Sequence, residues 1–97
     1  MATIRCGDFE WDEEKAERNL KKHAVSFEEA TSVFLDIDYM VVADPNDPTR
    51  FIAIGYSTLA RMLVVVHCER GDRVRIISAR RATRAERGTY ERRQGPD

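Results

Sequence analysis

The sequence predicts an α+β fold, in which an antiparallel sheet of four to five strands carries two N-terminal helices and one C-terminal helix on one face. Three observations predict it. One short strand precedes two helical segments, four later strands follow one another as hairpins, and two helices begin with a Ser/Thr-x-x-Glu capping box. A chain of 97 residues predicts one domain, residues 1–97, with a small core.

The N-terminal third predicts an edge strand and two helices. Polar and apolar residues alternate over residues 8–11, where Trp11 is expected in the core or an interface. Asp12 suits a helix N-cap, and this helix is expected to reach Lys22, where positive charge favours the C-terminal end. Ser26 begins the second helix, which is expected to end near Asp36.

The rest of the chain predicts a series of hairpins and a final helix. Strands are expected at residues 39–43, 51–56, 61–68 and 73–79. Residues 44–48 contain two prolines and predict a loop, whereas Gly71-Asp72 predicts a two-residue hairpin turn. Thr83 opens a helix that extends to about Arg93, and residues 94–97 are expected to be disordered.

The net charge of -1 conceals an asymmetry. Residues 1–49 contain 5 Lys/Arg and 12 Asp/Glu, whereas residues 50–97 contain 11 Arg and 5 Asp/Glu. Such an asymmetry indicates a polyanion or an acidic protein as partner; the alternative is that the two halves fold together and their charges cancel.

Several functional classes are not supported by the sequence. The two cysteines and two histidines lack metal-ligand spacing, and no P-loop, GxGxxG or GxSxG motif occurs, so we expect no metal and no cofactor. The longest apolar run, residues 62–66, is too short to cross a bilayer, and no signal sequence is recognised. The sequence thus predicts a cytoplasmic protein without membrane association.

The hairpin built on Gly71-Asp72 contains the candidate site. Strand alternation predicts that His67, Glu69 and Arg80 share one face, while Arg75 and Arg81 lie on the other; a three-residue loop would exchange these groupings. Metal-free RNA cleavage requires a base, an acid and cations that stabilise the phosphate. Glu69 or His67 would be the base and Tyr90 the acid, while arginines bind phosphate; the alternative is a solvated arginine face and a structural histidine.

The sequence also resembles the BrnT family over roughly residues 8–91. The resemblance is carried by Phe9-Glu10-Trp11-Asp12, Lys15, Asn19, Lys22-His23-x-Val25-Ser26-Phe27-Glu28-Glu29-Ala30, Arg50-Phe51, Ile54-Gly55, Leu63-Val64-Val65-Val66-His67-x-Glu69-Arg70, the segment from Arg75 to Thr83, Glu86-Arg87 and Tyr90. In relatives a glycine often stands at the position of Ala24, and glycine tolerates a left-handed helix end better than alanine.

The resemblance implies a RelE-like fold and a toxin of a type II toxin–antitoxin system, a ribonuclease that arrests translation. It implies a BrnA antitoxin with a ribbon-helix-helix part, and operator DNA bound only through that complex. It also implies that Arg70, Arg75, Arg80 and Arg81 contact RNA, with Glu69 and His67 near the scissile phosphate. The predicted site therefore has a catalytic group of Glu69, His67, Arg80 and Tyr90, and an RNA-binding group of Arg70, Arg73, Arg75, Arg81 and Arg84.

Two other functions remain open from the sequence. One is an inactive toxin-like module that binds an antitoxin and represses its operon. The other is a small structural subunit of an unrelated complex.

Overall fold

The protein is described by a computed structural model over residues 2–93, so the expected disorder of residues 94–97 lies outside the described part. The strands are β1 (Thr3–Cys6), β2 (Phe9–Asp12), β3 (Met40–Asp44), β4 (Asp47–Tyr56), β5 (Met62–Arg70) and β6 (Arg73–Arg81). The helices are α1 (Glu13–His23), α2 (Phe27–Thr31) and α3 (Arg84–Arg93), with a 3₁₀ helix (Ser32–Leu35) after α2. None of these helices is long and apolar enough to cross a membrane.

The strands form one sheet in the order β1-β2-β6-β5-β4-β3. The α+β class is confirmed, but the expectation of four to five antiparallel strands is wrong, because the sheet has six strands and β2 is parallel to β6. Strand β1 was missed because its residues are mostly exposed and show no alternating pattern. It pairs with β2 across a turn in which Gly7 has a φ of 58°.

Residues 44–48, expected to be a loop, form a tight hairpin between β3 and β4. Asp44 pairs with Asp47, so the connection contains only Pro45 and Asn46. The Asp44 carboxylate accepts a hydrogen bond from the backbone N–H of Asn46 at 2.8 Å, which stabilises the turn. Pro48 is tolerated because β4 pairs with β5 only from Arg50 onward.

The helices lie on opposite faces of the sheet, which corrects the expectation of a single helical layer. On the first face, α1 and α2 cover a core that includes Trp11, Phe27 and Leu63; Trp11, as expected, is buried and packs edge-to-face on Phe27. On the second face, Tyr90 of α3 packs with a smaller cluster of Ile54, Met62 and Val64. Because α3 has one buried residue, the sequence could not indicate which face it would cover.

Asn19 attaches α1 to β6. Its amide nitrogen donates to the carbonyl oxygens of Ala79 and Val25 at 2.8 Å and 2.9 Å. Its amide oxygen accepts from the N–H of Ala79 at 3.1 Å. The side chain therefore provides Ala79 with the pair of hydrogen bonds that a neighbouring strand would provide, and it fixes one face of α1 against β6.

Candidate functional site

The register of the β5–β6 hairpin shows which side chains share a face. The two-residue turn is confirmed, since Arg70 pairs with Arg73 and His67 with Ile76. The register then shifts, and Val66 pairs with Ser78, so Ile77 is an extra residue on β6. This bulge places Ala79 in the first-face core together with Leu63 and Val65.

The bulge overturns the expected grouping of His67, Glu69 and Arg80. Beyond Ile77 every β6 side chain changes face, so Arg80 lies on the second face, where it pairs with Glu86 of α3. Arg81 correspondingly moves to the first face. It pairs opposite Leu63, six residues along β5 from Glu69, which corresponds to about 20 Å.

His67 and Glu69 line an aromatic cleft on the first face. The cleft has a volume of about 290 Å³ and is lined by Phe34, Tyr39, Val41, Phe51, His67, Glu69 and Val74. Phe34 is the centre of its wall, with ring centroids 5.0 Å from His67 and 5.3 Å from Tyr39. His67 is buried, whereas Glu69 is exposed at the rim.

Burial keeps His67 neutral. Desolvation lowers the pKa of the imidazole, although a contact with the Val65 carbonyl and the nearby Glu69 charge oppose this effect. Nδ1 lies 3.4 Å from the carbonyl oxygen of Val65. When Nδ1 carries the proton and donates to that oxygen, Nε2 retains a lone pair and can accept a proton.

The predicted arginines fall into exposed and paired groups. Arg70 and Arg73 lie opposite each other at the hairpin turn, next to Glu69. Arg75 is different, because its guanidinium donates to the Glu10 carboxylate at 2.6 Å and both side chains are largely buried. Arg84, at the start of α3, is exposed.

Arg80 and Tyr90 have structural partners on the second face. Arg80 donates two hydrogen bonds of 2.8 Å to the Glu86 carboxylate. This side-chain pairing lowers the pKa of Glu86 to about 2, despite partial burial. Tyr90 is buried, and its hydroxyl donates to Asp36 at 2.7 Å.

An ion pair between a buried glutamate and a partly buried arginine was missed in the sequence. Glu29 of α2 accepts hydrogen bonds from Arg61 and, at 2.7 Å, from the hydroxyl of Ser57. The Arg61 hydrogen bond lowers the pKa of Glu29 against the effect of burial. Arg61 also donates to the carbonyl oxygen of Ala24 at 2.9 Å. The pair links α2 to the β4–β5 connection, and its separation of 32 residues left no local signal.

A second cleft, which is polar, lies between α1 and the bulge of β6. Its volume is also about 290 Å³, and it is lined by Lys15, Arg18, Asn19, Lys22, His23, Ile77 and Ser78. The sequence assigned Lys22 and His23 only to the end of α1. Within residues 2–93, no group of three or more His, Cys, Asp or Glu side chains is arranged to hold a metal ion.

Comparisons with known proteins assign a family. Residues 11–86 match the family described as ribonuclease toxin, BrnT, of type II toxin–antitoxin system. The fold is similar to the crystal structure of the Brucella abortus ribonuclease toxin BrnT, with a TM-score of 0.62 and 26% identity over 76% of this chain and 94% of that chain. No curated protein matches the sequence.

Proposed function

Since the chain belongs to the BrnT family of ribonuclease toxins from type II toxin–antitoxin systems, we propose that it is a metal-independent endoribonuclease that cleaves RNA and thereby inhibits translation. The observation that carries the proposal is the family match over residues 11–86, which includes both strands of the candidate hairpin. The RelE-like architecture implied by the sequence resemblance belongs to the same proposal.

In this proposal the aromatic cleft provides the base and a second proton-accepting group. Glu69 at the rim takes the proton from a ribose 2′-hydroxyl, and neutral His67 accepts a hydrogen bond or a proton through Nε2. The oxygen then attacks the adjacent phosphorus, the bond to the 5′-oxygen breaks, and that oxygen leaves with a proton from the protonated base or water. The products are a 2′,3′-cyclic phosphate and a 5′-hydroxyl.

Arg73 is the proposed cation for the phosphate that reacts, because it lines a pocket at the hairpin turn together with Glu69. Strand alternation directs Arg70 to the other face, where it would bind a flanking phosphate. A guanidinium can donate two hydrogen bonds to phosphate oxygens. Arg81 and Arg84, which are exposed and more distant, would bind flanking nucleotides. Three residues of the predicted site have a structural role in this proposal, because each binds an acidic side chain: Arg75, Arg80 and Tyr90.

The proposed partner is a BrnA-type ribbon-helix-helix antitoxin. The family belongs to type II systems, in which the toxin acts with an antitoxin protein. Operator DNA would be bound only through that complex, and RNA cleavage would take place in the cytoplasm.

Cleavage of a long single-stranded RNA in EDTA tests the proposal. The wild type is expected to cleave, Glu69→Gln to lose at least 100-fold in rate, and Glu91→Gln, an exposed change on α3, to retain activity. His67→Phe keeps an aromatic ring in the wall of the cleft but removes Nε2. Loss of cleavage in this variant therefore assigns proton transfer to His67, whereas retained cleavage means that its ring only lines the cleft. Loss of cleavage in EDTA contradicts the metal-free mechanism.

Growth of cells that express the protein tests the same proposal in vivo. Growth arrest relieved by Glu69→Gln supports a toxin. A protein that binds its antitoxin but neither cleaves RNA nor arrests growth would instead be an inactive module of the complex.

A further inference from the structure

We propose that the cleft between α1 and β6 is a second RNA-binding site, which holds the phosphate backbone through Lys15, Arg18, Lys22 and His23. The inference rests on the proposed ribonuclease function and extends it, because the cations of this cleft belong to α1 and not to the hairpin that contains the predicted arginines. It also assigns RNA contacts to the acidic half of the sequence.

Three of the four Lys/Arg side chains of α1 lie on one face of the helix. Positions 15, 18 and 22 follow helical spacing, and His23 adjoins them, so the four side chains form one stripe. Asn19 belongs to the same stripe and is bound to Ala79, which shows that the stripe faces the edge of β6. Three of the five Lys/Arg in residues 1–49 therefore line a single cleft.

The charge of the stripe is largely uncompensated. Arg18 has an exposed ion pair with Glu14 at 3.7 Å, a type of contact that contributes little. Within the described residues, neither Lys15 nor Lys22 has an acidic partner within 4.0 Å. The two ammonium groups are exposed on side chains seven residues apart, about 10 Å along the helix axis.

The lining favours a polyanion backbone over a protein segment. Apart from Ile77, the residues that line the cleft are charged or polar. Protein interfaces are anchored by buried aromatic and apolar side chains, whereas phosphate binding needs cations, hydroxyls and amides. A row of cations without an aromatic or apolar anchor therefore fits the phosphates of a single-stranded RNA.

Fluorescence anisotropy with a labelled 2′-O-methyl RNA of about 12 nucleotides tests the inference, because this probe lacks the nucleophilic hydroxyl. Lys15→Gln and Lys22→Gln are each expected to weaken binding about 3- to 10-fold at low salt and to reduce the slope of log K against log salt by about 0.7. Lys21→Gln is the matched control, since it removes the same charge from the same helix but lies outside the cleft. It is expected to change affinity less than 2-fold.

Equal losses in all three variants would overturn the inference, because they would reflect net charge alone. Unchanged binding in Lys15→Gln and Lys22→Gln would overturn it as well, as would equally tight, lysine-dependent binding of poly-glutamate. If the wild type cleaves RNA while both lysine variants bind normally, the inference fails and the proposed function stands. If the wild type binds the probe through the lysines but cleaves no RNA, the proposed function fails and the binding site stands.

Discussion

The phenolic oxygen of Tyr90 lies 2.7 Å from Oδ2 of Asp36, and this hydrogen bond joins α3 to the segment after the 3₁₀ helix. The same carboxylate oxygen accepts the backbone N–H of Tyr56 at 2.9 Å. Burial opposes ionisation of Asp36, but the hydrogen bonds from Tyr56, Tyr90 and Asp38 hold its pKa below the usual value. Asp36 therefore connects elements packed on both faces of the sheet.

Replacement of Tyr90 by Phe separates a structural role from a catalytic one. The ring would still pack on Ile54, Met62 and Val64, while the hydrogen bond to the ionised Asp36 is lost. We expect the free energy of unfolding to fall by about 1.5–3 kcal/mol, with RNA cleavage preserved under native conditions. Urea denaturation and a cleavage assay measure the two effects. If the variant is as stable as the wild type but does not cleave RNA, Tyr90 is the general acid, as the sequence predicted.

The local elements could be predicted because their signals are local. Asp12 accepts the N–H of Lys15, Ser26 accepts that of Glu29, and Thr83 and Glu86 form the reciprocal bonds of a capping box, as expected. The turn at Gly71-Asp72 likewise set the register of the first pairs. Each of these features depends on residues within four positions of one another.

The arrangement of the site could not be predicted because it depends on distant contacts. A single bulge at Ile77 exchanges the faces of Arg80 and Arg81, and it is favoured by burial of Ala79 in the core. Asn19 was expected on the same face of the first helix as Ala16 and Leu20, but no local signal indicates its partner Ala79, which is 60 residues away. The cationic stripe on α1 lines a cleft because the Asn19–Ala79 hydrogen bonds hold α1 against β6.

The Arg80–Glu86 pair predicts a change in acid stability. The pKa of Glu86 is about 2 in the folded protein, below the value of about 4.3 for an exposed glutamate. Its stabilising effect is therefore fully present above about pH 4.3 and is lost as the pH falls toward 2. Glu86→Gln should flatten the pH dependence of the free energy of unfolding between about pH 4.3 and about pH 2. At pH 7 it should lower the free energy of unfolding by only about 1 kcal/mol, because the Arg80 side chain is 41% exposed.

Urea denaturation at several pH values measures this effect. Glu91→Gln, on an exposed position of the same helix, should leave the pH dependence unchanged. An identical acid transition in wild type and Glu86→Gln would contradict the assignment.

Replacement of Asn19 by Ala should be among the most destabilising polar changes. The buried amide makes three hydrogen bonds, and its loss leaves the N–H and carbonyl of Ala79 without partners. We expect a loss of about 2–4 kcal/mol in the free energy of unfolding. Lys21→Ala, exposed on the same helix, should stay within about 0.5 kcal/mol of the wild type. Equal stability of the two variants would show that Asn19 does not hold α1 on β6.

A stabilising substitution is expected at Ala24, at the C-terminal end of α1. It ends α1 with a φ of 57°, a left-handed conformation in which its Cβ is strained, and it is exposed, so no packing is lost when the methyl group is removed. Ala24→Gly should therefore raise the free energy of unfolding by about 0.5–1 kcal/mol. Ala85→Gly, an exposed position within α3, should lower it by a similar amount, because glycine there only adds freedom to the unfolded chain. Thermal denaturation of the two variants should show shifts of opposite sign; a lower midpoint for Ala24→Gly would mean that the left-handed helix end is not strained by alanine.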